Sequence, residues 1–291
     1  MSEAQTEAWT IKRLLDWTSE YFGRHDSDSP RLKAEILLSE ALGCERIELY
    51  TRFNEVPEEP ALGNYRAWVK RHAAGEPVAY LVGHKEFYSL RFDVNEHVLI
   101  PRPETEHVVV EAIECSKSFQ EPIRIADIGT GSGCIAVTLA KHIQHAQITA
   151  SDISSAALQI AKNNARAHAV DDRITFLESD LFQSIPEGRF EIIASNPPYV
   201  GTEEVGTLDE NVKNHEPSTA LFAGPLGTEV IERLISESVD RLADGGYLIF
   251  ETSPFVMDTC LQLVAQSDLS HHKTINDLAG HPRVVVCKKM A

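Results

Sequence analysis

From Arg124 onward, short apolar runs alternate with helix-length segments, and this alternation restricts the chain to a parallel sheet with helices on both faces. The runs fall at about 124 to 128, 147 to 152, 174 to 179, 190 to 195 and 246 to 251. A final pair, near 271 to 277 and 283 to 289, has too short a connection to cross over to a parallel neighbour. It is therefore expected as an antiparallel hairpin at one edge. Parallel strands present their carboxyl ends on one edge of the sheet, where ligands of open α/β sheets bind. Four consecutive strands end there in polar, ligand-like residues.

The first runs into Asp127-Ile128-Gly129-Thr130-Gly131-Ser132-Gly133, ahead of a helix expected from about Cys134 to His142. Alternate glycines let the backbone approach a ligand and leave N–H groups at the helix start pointing outward. A dinucleotide fingerprint would need its third glycine at position 134, which is Cys134, so the spacing argues against a nicotinamide cofactor. Asp152 ends the second strand, 19 residues beyond Gly133. An acid there accepts hydrogen bonds from both ribose hydroxyls, or else caps the helix beginning near Ser154 or Ser155. Asp180 ends the third strand, followed by Leu181 and Phe182. That acid accepts an adenine amino N–H while the apolar pair packs on the ring, or else marks an ordinary turn.

Asn196 ends the fourth strand and opens Asn196-Pro197-Pro198-Tyr199. A planar amide or ring-amine nitrogen is a poor nucleophile because its lone pair is delocalised. The Asn196 side-chain oxygen and the Pro197 carbonyl would each accept one N–H of an NH2 group and raise the electron density of the nitrogen. Both prolines fix their own φ, and Pro198 restricts Pro197 to extended conformations, which holds that carbonyl in place. Tyr199 would lay an aromatic face beside the flat group and a cationic methyl donor. The bland alternative is a strand-end turn. A nucleoside-bearing cofactor beside a nitrogen clamp implies methyl transfer, and S-adenosylmethionine fits because its sulfonium leaves the protein only positioning and electrostatics to supply.

The remaining sequence narrows the partners. With 27 basic against 44 acidic side chains, the net charge of −17 repels a phosphate backbone. Cys44, Cys115, Cys134, Cys260 and Cys287 form no C-x-x-C pair and have no closely spaced His, so neither zinc nor a disulfide framework is indicated. No apolar run approaches the ~18 residues of a membrane span, and the acidic start, with Glu3 and Glu7, is unlike a targeting sequence. A reduced, cytoplasmic protein is expected. Residues 1–75 carry helical spacing (Ile11, Leu14, Leu15, Thr18, Tyr21, Phe22, then Ala34, Leu37, Leu38, Ala41), with Ser29-Pro30 as a start and Gly43 as a stop. Leu62, Tyr65 and Val69 predict a third helix ending near Gly75. Residues 76–100 change period and read as a linker with a β-hairpin around Glu86 to Val94.

The motifs together resemble the class I S-adenosylmethionine-dependent methyltransferases, and within them the HemK/PrmC peptide chain release factor N5-glutamine methyltransferases. The carriers are Glu76-Pro77 with Tyr80 and Gly83, Phe87-Tyr88, Ile100-Pro101-Arg102-Pro103-Glu104-Thr105-Glu106, the Asp127 to Gly133 loop and Asn196 to Tyr199. Further along come Glu216-Pro217 with Ala220-Leu221, and Asp277-Leu278-Ala279-Gly280 with Arg283. The resemblance implies a Rossmann-like class I methyltransferase domain over 101–291, mostly parallel with an antiparallel edge hairpin, behind a small N-terminal helical domain over 1–75 that binds the release factor. It implies methylation of the glutamine in the Gly-Gly-Gln tip of class 1 release factors, with S-adenosylhomocysteine as product. The cysteine spacing, charge and apolar runs above give the expectation of no metal and no direct nucleic-acid or membrane binding, and a monomer is expected. Asp127, Gly129, Thr130, Gly131, Ser132, Gly133, Asp152, Asp180, Leu181 and Asn196 would hold the cofactor. Asn196 and Pro197 would hold the amide with Pro198 and Tyr199 beside it, and Arg102 and Thr105 would form part of the wall, with helix capping an equal role for Thr105. Ala79, Ala223-Gly224 and Glu251-Thr252-Ser253 depart from the family pattern. An adenine-N6 nucleic-acid methyltransferase, which shares Asn-Pro-Pro-Tyr, a methyltransferase of another protein glutamine, and a noncatalytic cofactor-binding module are the rival readings.

Overall fold

The computed structural model describes residues 8–25, 28–207 and 209–290, and the chain divides into two compact units, Met1–Gly83 and His84–Ala291. The first unit is helical: α1 (Ile11–Gly23), α2 (Pro30–Leu42), α3 (Arg46–Thr51), α4 (Glu59–Ala73) and α5 (Val78–Val82). The Thr10 side chain caps α1 by accepting from Arg13 N at 3.3 Å, while Pro30 opens α2 and Gly43, at φ +61°, closes it. The apolar stripes of α1, α2 and α4 meet in a core around Ile11, Leu15, Phe22, Leu37, Leu38 and Tyr65.

Two short helices depart from the sequence expectation. At six and five residues, α3 and α5 are too short to show a 3.6-residue period, and α5 carries the helical unit past Gly75 to Gly83. The stretch 76–100 is accordingly not a linker. Its first part packs Leu81 into the helical core, and its hairpin, β1 (His84–Phe87) and β2 (Leu90–Asp93), sends Phe87 and Phe92 into the core of the second unit.

The second unit continues with α6 (Glu106–Ser116), β3 (Ile123–Ile128), α7 (Cys134–His142), β4 (Ala146–Asp152), α8 (Ser155–Ala167), β5 (Ile174–Glu178) and β6 (Phe190–Ser195). Then come β7 (Val200–Gly201), α9 (Glu210–His215), α10 (Ser218–Leu221), β8 (Phe222–Gly224), α11 (Glu229–Arg241), β9 (Leu242–Glu251), α12 (Met257–Ala265), β10 (Leu269–Asn276) and β11 (Pro282–Lys289). The main sheet has the order β10-β11-β9-β6-β3-β4-β5, parallel from β9 to β5, with β11 antiparallel to both β9 and β10. The expected antiparallel edge hairpin is present.

Both faces of this sheet are buried, which is why its strands read as continuous apolar runs. Ile125, Ile192 and Ile249 enter one cluster with α6 and α7, and their neighbours Ala126, Ile193 and Phe250 enter the other with α11 and α12. Packing on both sides leaves the carboxyl ends of the strands as the open edge.

Candidate active site

Four strand ends meet on a cavity of about 350 Å3, within the size range of small-molecule sites. Its wall takes Gly129, Thr130, Gly131 and Ser132 from the loop after β3, Asp152 from the end of β4, Asp180 and Leu181 after β5, and Asn196 and Pro198 after β6. Arg102 and Thr105, ahead of α6, also line it. Asp127, Gly133, Pro197 and Tyr199 do not line the cavity.

The loop is fixed from beneath. Gly129 N and Thr130 N both donate to Ser151 O at 2.8 Å, and Gly131 stands at φ +54°, where a Cβ would project into open space. Asp127, expected to hold the cofactor, is instead fully buried. Its Oδ2 accepts from Thr130 Oγ1 at 2.6 Å and from Ala136 N at 3.1 Å, tying the loop to the start of α7. Its Oδ1 has no hydrogen-bond partner among the described residues, and burial pushes the carboxyl up to about 7. Gly133 serves packing: a Cβ there would lie 3.1 Å from Ala161 Cβ of α8.

Asp152 bridges the loop and the next helix, its Oδ2 accepting from Gly131 N at 2.8 Å and its Oδ1 from Ser154 N at 2.9 Å. The N-cap of α8 is Ser154, whose hydroxyl accepts from Ala157 N at 3.2 Å, so Asp152 is spared that role. Each of its carboxylate oxygens keeps a second lone pair, and burial raises its pKa. Asp180 uses only Oδ2 in its bonds from Arg233 Nη2 at 3.1 Å and Gln183 Nε2 at 3.2 Å. Leu181 beside it takes φ +49° and is 9% exposed.

Asn196 Nδ2 donates to Thr105 Oγ1 at 2.9 Å, and Asn196 Oδ1 has no partner among the described residues. Thr105 makes no helix-capping bond. Its hydroxyl donates to Glu251 Oε2 at 2.5 Å, and Tyr199 OH donates to Glu251 Oε1 at 3.0 Å. Tyr199 is thus anchored behind the wall, with burial and then the Glu251 charge raising the pKa of its phenol. Glu251 is 1% exposed, and desolvation pushes its carboxyl up to about 7 against the lowering effect of both hydroxyls. Arg102 pairs with Glu216 Oε1 at 2.5 Å, and Glu216 Oε2 accepts from Ile100 N at 3.2 Å.

Sequence reasoning gave no role to Glu251 or Glu216. The first was within reach: Glu251 is the last residue of the fifth parallel strand, so the rule that picked out four polar strand ends extends to it. Glu216 was singled out as part of the Glu216-Pro217 motif but given no role, because its Arg102 partner lies 114 residues away.

The wall fits a nucleoside-bearing cofactor. Gly129 and Gly131 leave open space that any Cβ would enter, and Asp152 and Asp180 offer unused acceptor capacity at successive strand ends. Among the described residues, no group of three or more His, Cys, Asp or Glu side chains could hold a metal ion.

Residues 13–83 match the family model described as the PrmC N-terminal domain, ending where the helical unit ends, and residues 108–213 match the methyltransferase small domain. A methyltransferase from Pyrococcus furiosus, 18% identical, superposes with a TM-score of 0.52 over 79% of this chain and all of that one, which supports the fold. Fold and matched domain define the class: an S-adenosylmethionine-dependent methyltransferase. The chain is 48% identical to the release factor glutamine methyltransferase of Rhodopirellula baltica, over 99% of this chain and all of that one. It is 39% identical to that of Koribacter versatilis, over 96% and 99%. It belongs to the HemK/PrmC family of release factor glutamine methyltransferases.

Proposed function

We propose that this chain methylates the side-chain amide nitrogen, N5, of the glutamine in the Gly-Gly-Gln tip of class 1 peptide chain release factors. S-adenosylmethionine is the donor and S-adenosylhomocysteine the product. The observation that carries this reading is the Asn196 carboxamide at the cavity wall, its nitrogen engaged by Thr105 and its oxygen free to accept an N–H. The family supports the choice of partner.

The Gly129 to Gly133 loop, whose Gly129 and Gly131 let a ligand approach the backbone, the Asp152 carboxylate and the Asp180-Leu181 corner bind and orient the cofactor. When bound, S-adenosylmethionine supplies a methyl group made electrophilic by its sulfonium. Asn196 Oδ1 takes one N–H of the glutamine amide at the cavity wall, and the carbonyl of Pro197, a residue held extended by Pro198 and set back from that wall, takes the other. As positive charge develops on the nitrogen, these acceptors stabilise it electrostatically, and the methylated nitrogen then sheds one proton to solvent. Arg102, steadied by Glu216, and Thr105 hold the wall. The helical unit docks on the body of the release factor.

The protein acts as a cytoplasmic monomer without nucleic acid or membrane. In support, the net charge is −17, and among the described residues no helix is long and apolar enough to cross a membrane. The test incubates the protein with labelled methyl donor and, separately, release factor, a release factor with the tip glutamine changed to Ala, DNA and RNA. Label on intact release factor alone is expected. Label on nucleic acid alone would establish the adenine-methylating alternative.

A further inference from the structure

The two ends of an asparagine carboxamide are nearly equal in size and shape, so packing alone does not decide which one faces a ligand. At Asn196 the choice decides everything: oxygen outward accepts an NH2 group, whereas nitrogen outward opposes it donor against donor. Among the described residues the only side-chain partner of Asn196 is the Thr105 hydroxyl, and a hydroxyl either donates or accepts. Thr105 has one proton. It lies on Glu251 Oε2 at 2.5 Å, and an ionised carboxylate has none to return. Tyr199 commits its own proton to the other oxygen of Glu251 at 3.0 Å. Thr105 Oγ1 is left to accept, Asn196 must present Nδ2 to it, and Oδ1 is released.

The geometry points to Glu251 as a positioning residue that, through Thr105, fixes the Asn196 carboxamide with its oxygen toward the substrate, so that the site selects a hydrogen-bond donor over an acceptor. The inference rests on the glutamine-methylating reading and adds to it the device that orients the clamp. Glu251 is well placed for this role. It is the last residue of β9, its backbone is paired with Val284 of β11, and Thr252 N donates to Arg283 O at 2.8 Å directly after it. The groups facing it are the Thr105 and Tyr199 hydroxyls, the Glu104 carboxylate, which raises its proton affinity, Arg283, which lowers it, and the Cys134 thiol of α7, itself held neutral by burial. Desolvation pushes its carboxyl up to about 7. Only the ionised form obliges both hydroxyls to donate, so the rate falls as pH drops through that value.

The test compares wild type, Glu251→Gln, Thr105→Val and Thr105→Ser with release factor as substrate, measuring kcat, KM, cofactor affinity by calorimetry and the pH profile. Wild type should methylate the tip glutamine with kcat declining on the acid side of about 7. Glu251→Gln should lower kcat about 10- to 100-fold, keep cofactor affinity, and lose that acid limb. Thr105→Val should match it, and Thr105→Ser, which restores the hydroxyl, should recover most of the rate. Wild-type kcat for Glu251→Gln above neutral pH, or an acid limb that survives in it, overturns the relay. If Glu251→Gln does not fold, the Thr105 pair decides, and a serine variant as slow as the valine variant overturns it. A wild-type protein that leaves the tip glutamine unlabelled overturns the functional reading itself.

Discussion

The helical unit and the carboxyl edge of the sheet treat their buried polar groups in opposite ways. In the helical unit each one among the described residues is used. Tyr65 OH donates to Thr18 Oγ1 at 2.7 Å, Ser39 Oγ donates to Ile36 O at 3.1 Å, and His72 Nδ1 meets Glu76 O at 2.8 Å. Glu35, 3% exposed, accepts from Arg31 Nε at 2.8 Å, Arg46 Nη2 at 3.1 Å and the Tyr50 hydroxyl. At the sheet edge Asp127 Oδ1 and Asn196 Oδ1 are left without partners among the described residues, and two buried carboxyls, Asp127 and Glu251, are pushed up to about 7. An unmatched buried acceptor costs roughly 1–3 kcal/mol, a cost carried here at Asp127, while Asn196 Oδ1 stands on the cavity wall where a ligand can use it. One region is organised for stability, the other for chemistry.

The sharpest way to break that contrast is a pair of truncations. Phe22→Ala, at a fully buried position of the helical core, should cost about 3–5 kcal/mol in denaturant unfolding of that unit. A shift below about 1 kcal/mol would show that the unit does not depend on its core. Asn196→Ala should lower kcat about 10²- to 10³-fold while leaving the unfolding midpoint and cofactor affinity close to wild type. If instead the protein unfolds with little change in specific rate, the edge is structural after all.

Two smaller effects sharpen the boundary. Asp152→Ala should weaken cofactor binding by about 1.5–3 kcal/mol, read by calorimetry, because it removes charged acceptors from the wall and from Gly131 N. Unchanged affinity removes Asp152 from the cofactor site. Tyr65→Phe deletes a single satisfied hydrogen bond and should cost only about 0.5–1.5 kcal/mol of stability, with kcat unaffected.

Much of this was legible without coordinates. The expected helix from about Cys134 to His142 is α7, and the fourth apolar run, 190 to 195, is β6 to the residue. Burial on both faces and short connections write such elements locally. The helices α3 and α5 were not legible because five or six residues do not establish a period. At the site, Gly129, Gly131, Asp152, Asp180 and Asn196 were found by strand-end position and do reach the cavity wall. Asp127 was misread for a physical reason. Asp127 is not the last residue of β3 but the one before it, and there its side chain is buried under the loop that its Oδ2 ties to α7. Tyr199 does not line the cavity, and its hydroxyl is claimed by Glu251, 52 residues away, a contact no local pattern states.

The sequence by itself determined the alternation of strands and helices, hence a parallel sheet with a ligand edge, and placed a nitrogen-clamping motif at the end of one of its strands. These follow from period and spacing, which are local properties. Only the tertiary structure decided which polar strand ends face the cavity, which brace it from behind, and which way the Asn196 carboxamide points. That orientation depends on Thr105 meeting Asn196 across 91 residues and Glu251 across 146, contacts that exist only once the sheet has brought its carboxyl ends together.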